Sequence, residues 1–138
     1  GPDVRALEAV ARFDERARHV AASIWPGPLT IVLPRAPGFD ADLGGTSPGT
    51  VAVRVPAHPL ALEFLAQTGP LGVTSANLSG APPLTTAEEA EQLFGSKVGV
   101  LDGGACKGQP STVLDLASTP RVLRAGAVDA AQLQALMS

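Results

Sequence analysis

Glycine and proline interrupt this sequence so often that no secondary-structure element can run long. Fifteen glycines and thirteen prolines, about a fifth of 138 residues, fall between short apolar runs and do not gather in one tract. That spacing predicts many tight turns joining short helices and strands, and it argues against a linker or a long coiled coil. The runs themselves carry enough apolar material for a core, since 45% of the residues are hydrophobic. Wholesale disorder is therefore excluded, and the length is that of one domain.

Helices and strands alternate along the chain. Asp3 caps a first short helix reaching Val10, and Asp14 caps a second through Ala17, Val20, Ala21 and Ile24, with apolar residues at three- and four-residue spacing. Trp25-Pro26-Gly27-Pro28 ends it. Strands are expected at 29–33, 50–55, 71–74, 98–101, 112–116 and 122–123, where β-branched and apolar residues cluster between turn residues. Pro59 opens a helix closed by Gly69, a Thr86–Glu89 capping box opens another ended by Gly95, and Asp129 caps a last one through Leu133 and Leu136. The stretch 35–49 reads as an exposed loop. The order predicts an α/β fold, and because the last two strands have no helix between them the sheet is expected to mix parallel and antiparallel pairs.

Composition removes several function classes. The formal net charge is −3 and aromatic residues make up 4% with no tyrosine, so neither a broad phosphate-binding surface nor a base-stacking platform is expected. A lone Cys106 makes no internal disulfide, and His19 and His58 lie far apart, so no metal cluster is expected. A reducing, cytoplasmic setting is the default, and no apolar run has the length of a membrane span.

Three places put polar side chains at strand ends. In the strand starting at Thr50, alternation sets Thr50, Ala52 and Arg54 on one face and Val51, Val53 and Val55 on the other. Arg54 is then either a strand-end arginine reaching solvent or a planar fork for a carboxylate or phosphate. The second place, Thr74-Ser75-Ala76-Asn77-Leu78-Ser79-Gly80, is either an ordinary turn or a cradle for a small polar ligand. Ser75 has no G-x-S-x-G setting and neither histidine has an evident acidic partner, so nucleophilic catalysis is not expected. The third runs from Gly103 to Thr112 and on to Arg124-Ala125-Gly126; it lacks the Gly-Lys-Ser/Thr ending of a phosphate-binding loop. Glu88, Glu89 and Glu91 read as a helix surface. Spacing alone supports a small-molecule-binding α/β domain with no assigned acid or base.

Five blocks taken together go further. Trp25-Pro26-Gly27-Pro28-Leu29-Thr30, Thr50-Val51-Ala52-Val53-Arg54-Val55-Pro56, Ser75-Ala76-Asn77-Leu78-Ser79-Gly80, Ser111-Thr112-Val113-Leu114-Asp115 and Leu123-Arg124-Ala125-Gly126 occur in one order with short spacers. The series resembles the Sua5/YrdC/YwlC family of threonylcarbamoyl-AMP synthases. The resemblance implies a YrdC-like twisted mixed sheet flanked by helices around a concave ligand cleft. It implies a nucleotidyltransferase that joins L-threonine, bicarbonate or CO2, and ATP, with Mg2+ assisting. The product would pass to a downstream threonylcarbamoyl transferase complex, so that tRNA is met only indirectly.

Carried onto this sequence, the resemblance implies that Arg54 pairs with the threonine carboxylate, that Thr74 and Ser111 contact threonine, and that Thr50, Ser75, Ala76, Asn77 and Arg124 meet the nucleotide. Such chemistry needs positioning and charge cancellation more than acid–base groups. The sequence departs from the family pattern at Leu84, where a small polar residue is common, and at Ala125, where Arg-Pro-Gly is usual. The family's N-terminal Pro-Thr-x-Thr loop and Lys/Arg-rich motif find no counterpart in residues 1–138. These residues are therefore expected to form a partial YrdC-like domain that does not catalyse the reaction alone. Two other readings remain at this point: a carbamoyl-adenylate-forming transferase domain, and a non-catalytic nucleotide- or RNA-binding module.

Overall fold

The computed structural model describes residues 1–44, 47–106 and 108–137. They divide into two compact units, one made of Gly1–Leu71 with Gln109–Ser138 and the other of Gly72–Gly108.

The first unit is built on a four-stranded sheet of β1 (Leu29–Pro34), β2 (Thr50–Val53), β3 (Thr112–Asp115) and β4 (Arg121–Arg124), in the order β2-β1-β3-β4. β1 runs parallel to β3, and the two outer pairs are antiparallel. The sheet is therefore mixed, as the sequence predicts. One face is dry. Leu29, Ile31 and Leu33 alternate inward along β1, and the register sets Ile31 beside Val53 and Leu114. Against them pack Leu7 of α1 (Val4–Leu7), Ala17, Val20 and Ala21 of α2 (Glu15–Ile24), and Leu133 of α5 (Ala130–Met137). α3 (Pro59–Thr68) contributes the partly buried Leu62.

The opposite face of the sheet is only half covered. Thr30, Val32 and Val113 are partly buried, and Ala52, Arg54 and Arg124 are exposed. Helix starts follow the expected chemistry: Asp3 and Asp14 each accept a backbone N–H at 2.7 Å. The first helix is shorter than predicted. It ends at Leu7, beyond which Ala9 and Val10 bond three residues back, to the Ala6 and Leu7 carbonyls, and Ala11 forms a bridge with Arg35.

The second unit contains α4 (Ala87–Phe94), whose Thr86 and Glu89 form the predicted capping box, and a short 3₁₀ turn at Gly95–Lys97. None of its described residues is buried. Two predicted strands, 71–74 and 98–101, are not strands. Their apolar side chains face solvent, with Val73 89% exposed, and no ladder holds them. A β-branched run becomes a strand only where a neighbour supplies hydrogen bonds and covers a face. Among the described residues, no helix is long and apolar enough to cross a membrane.

Candidate functional site

Residues 25–28 connect the parts that carry the site. The Trp25 N–H closes α2 on Ala21, and its indole Nε1 donates to the Leu29 carbonyl at 2.7 Å. Phe13 meets the indole edge-to-face, with ring centres 6.2 Å apart. The Trp25–Pro26 peptide is cis. From this anchored turn, Gly27 N–H donates to the Val55 carbonyl just past β2, and the Pro28 carbonyl accepts from Thr112 N–H at the start of β3. Gly27 leaves no room for a side chain, since a Cβ there would stand 2.1 Å from the Ile24 carbonyl oxygen. The loop thus ties the end of β2 to the beginning of β3.

Those two places bear Arg54 and Ser111. Arg54 projects from the half-covered face, as the alternation predicts, and its Nε donates to the Gly27 carbonyl at 3.0 Å. Ser111 is buried, and its hydroxyl lies 2.8 Å from that of Thr30. Arg124, at the end of β4, spans back to Ser111: Nε and Nη2 donate to its carbonyl at 3.2 and 2.9 Å, and Nη2 donates to its hydroxyl at 3.1 Å. Burial, followed by the positive charge of Arg124, holds the Arg54 pKa below the usual arginine value. Two cations near enough to repel each other share this face. Among the described residues neither has a carboxylate within ion-pair distance, whereas Arg18 pairs with Glu8 and Arg121 with Asp115.

The backbone around Ser111 is held from behind. Thr112 donates its hydroxyl to the Val128 carbonyl at 2.8 Å and accepts from the Val128 N–H at 3.0 Å. Gly126 lies against the 110–112 backbone, and Ala127 N–H donates to the Pro110 carbonyl.

Arg54, Ser111 and Arg124 are therefore brought together, with Thr30 added. Thr50 is not part of that group. It sits at the far end of β2, paired with Pro34, roughly 13 Å along the strand from Arg54. Its hydroxyl donates to the Ser47 carbonyl. Thr74, Ser75, Ala76 and Asn77 belong to the second unit, the first three exposed. Asn77 organises a tight turn there. Its Nδ2 donates to the Leu78 and Ala81 carbonyls at 2.8 and 3.0 Å, while its Oδ1 is buried without a hydrogen-bond partner. The Ala76 carbonyl accepts from Leu84 N–H.

Chemically, the Arg54–Ser111–Arg124 group offers guanidinium N–H donors and hydroxyls to an oxyanion. No set of three His, Cys, Asp or Glu side chains among the described residues could hold a metal ion. Sequence reading quoted Thr30, Gly27 and Gly126 within its motifs and gave none of them a role. The alternation of the 29–33 strand, which puts Thr30 on the face opposite Leu29 and Ile31, was the available signal for the first.

Comparison with known proteins gives a consistent picture. The family model Sua5/YciO/YrdC, described as "Telomere recombination", matches residues 1–126. A Mycobacterium tuberculosis protein is 45% identical over 122 residues, covering 86% of this chain and 56% of that protein. A Bacillus subtilis protein named threonylcarbamoyl-AMP synthase is 40% identical over 127 residues, covering 89% of this chain and 37% of the relative. The chain thus spans about half the length, or less, of these relatives. Among solved structures, Pyrococcus abyssi Sua5 complexed with L-threonine superposes with a TM-score of 0.85 at 37% identity, covering 96% of this chain and 40% of that one. Escherichia coli YciO superposes with a TM-score of 0.76 at 28% identity, covering 92% of this chain and 64% of that one.

Proposed function

This chain belongs to the Sua5/YciO/YrdC family, and from that premise we propose that residues 1–138 form a partial YrdC-like domain of a threonylcarbamoyl-AMP synthase. The observation that supports the reading most directly is the pair Arg54 and Arg124, two mutually repelling cations on one sheet face with no carboxylate partner among the described residues. Like charges held together in this way favour an anionic ligand that relieves the repulsion.

The proposed reaction is a nucleotidyl transfer. The threonine nitrogen adds to the carbon of CO2 and loses a proton, giving a carbamate. A carbamate oxygen then bonds to the α-phosphorus of ATP, and the bond to the bridging oxygen breaks, so that pyrophosphate leaves with the electron pair. In this reading Arg54 holds the threonine carboxylate and Ser111 contacts threonine. Arg124 faces the nucleotide phosphates, and Thr50 is assigned to the nucleotide. Among the described residues no three His, Cys, Asp or Glu side chains gather to hold a metal ion; in this reading Mg2+ comes with the ATP phosphates as part of the substrate. We place the reaction in the cytoplasm and its product with a separate transferase complex acting on tRNA.

The isolated chain is proposed to fall short of turnover, because the unit carrying residues 74–77 buries none of its described residues. Both claims can be tested by replacing the matched region of the Bacillus subtilis relative with residues 1–138 and following pyrophosphate release with L-threonine, bicarbonate and ATP. The chimera should turn over, and its Arg54→Ala form should not. A folded but silent chimera overturns the synthase reading. Turnover by the 138-residue chain alone overturns the proposed dependence on additional sequence.

A further inference from the structure

Thr30 is a polar residue on the half-covered sheet face with no role in the reading above. In the ladder it stands beside Val113, and Val113 stands beside Arg124, so Thr30 and Arg124 belong to one row across β1, β3 and β4. Ser111 precedes that row, and its hydroxyl has two neighbours: Thr30 Oγ1 at 2.8 Å and Arg124 Nη2 at 3.1 Å. The second contact has a fixed direction. A guanidinium has no acceptor, so Ser111 Oγ accepts from Arg124.

One acceptor site and one hydrogen then remain on Ser111. Without a ligand, the Ser111 hydrogen can go to Thr30. When Thr30 donates instead, both acceptor positions of Ser111 Oγ are filled and its hydrogen has no protein acceptor within the pair. An incoming oxyanion is then the partner that completes the network. Donation from an arginine and a second hydroxyl also polarises the Ser111 O–H bond, which strengthens it as a donor.

We propose that Thr30 is a positioning residue that, by donating to Ser111 Oγ, turns the Ser111 hydroxyl into an obligatory donor toward an oxyanion of the amino-acid ligand. The proposal rests on the synthase reading for the identity of that ligand. The arrangement of Thr30, Ser111 and Arg124 stands without it.

The test uses the full chain as wild type, Thr30→Val, Thr30→Ser and Arg124→Gln. Valine keeps the shape and removes the hydroxyl, whereas serine restores it. Exchange of the Arg124 Nη2–H, the donor to Ser111 Oγ, read by 15N-resolved NMR, should quicken in Thr30→Val and return toward the wild-type rate in Thr30→Ser. Calorimetric titration with L-threonine should show about a fivefold to tenfold weaker dissociation constant in Thr30→Val, the size expected for one hydrogen bond, with recovery in Thr30→Ser. Unchanged exchange and affinity in a folded Thr30→Val overturn the proposal, as does a loss that Thr30→Ser fails to rescue. If the wild type shows no affinity for L-threonine, the ligand assignment is overturned for this chain, and pyrophosphate release by the chimera decides the synthase reading separately. The Arg124 exchange rates then decide whether Thr30 orders this network at all.

Discussion

Gly126 lies so close to the segment entering β3 that a methyl group on it would stand 2.6 Å from the carbonyl carbon of Ser111. The obstruction is backbone, so no flexible side chain can swing aside. Gly126→Ala is expected to destabilise the chain by about 1–3 kcal/mol, as overpacking does, and to loosen the Arg124–Ser111 contacts. Thermal melting checks the first effect. An unshifted midpoint would show that the two segments are farther apart than described.

Thr112 couples β3 to Val128 through a single buried hydroxyl. Thr112→Val leaves a backbone N–H and a carbonyl without that partner, at a cost of about 2–3 kcal/mol. Thr112→Ser keeps both bonds and is expected to lose less than half as much. Urea unfolding of the two variants, compared at constant denaturant slope, measures the difference.

The arginine pair makes the free chain sensitive to anions. Pyrophosphate should raise the melting temperature of the wild type, by the equivalent of about 2.7 kcal/mol at a hundredfold excess over its dissociation constant. Arg54→Gln or Arg124→Gln should show a smaller gain. Without anion, each variant trades the relieved repulsion against the lost Gly27 or Ser111 hydrogen bonds, so the gain on adding pyrophosphate is the quantity compared. Equal gains in all three proteins would place pyrophosphate elsewhere.

Glu89 receives the N–H groups of Thr85 and Thr86, and those bonds hold its carboxyl below the usual pKa. A depressed carboxyl contributes its share of the cap above the ordinary value and loses it as pH falls through the folded value. The start of α4 should therefore fray as pH falls below the ordinary carboxylate range. Following the Thr86 amide shift from neutral to acid pH reads this out. Glu89→Gln should flatten that dependence, because its amide oxygen accepts the same bonds at every pH.

Much of this architecture is written locally. Asp3, Asp14 and the Thr86–Glu89 box announce helix starts because a cap depends on residues two or three apart. Arg54 is legible on its face because alternation in a strand is local too. The failures share a cause. Val73 and Val98 look like strand residues, yet a strand is a relation with a neighbour, and their segments have no ladder among the described residues. Thr30 and Ser111 are separated by 81 positions, and only the β1–β3 register brings their hydroxyls together. The turn at Asn77 was readable from its Ser, Asn and Gly content, but its buried, unpartnered Oδ1 was not.

The turn at residues 25–28 grips its neighbours with main-chain groups of Gly27 and Pro28. Its influence on Arg54 and Ser111 therefore depends on the path the chain takes more than on what those two side chains offer chemically. The tryptophan-and-proline signature behaves as a clasp. Any replacement segment tracing the same curve would leave both ends fastened, and any insertion lengthening it would release them together.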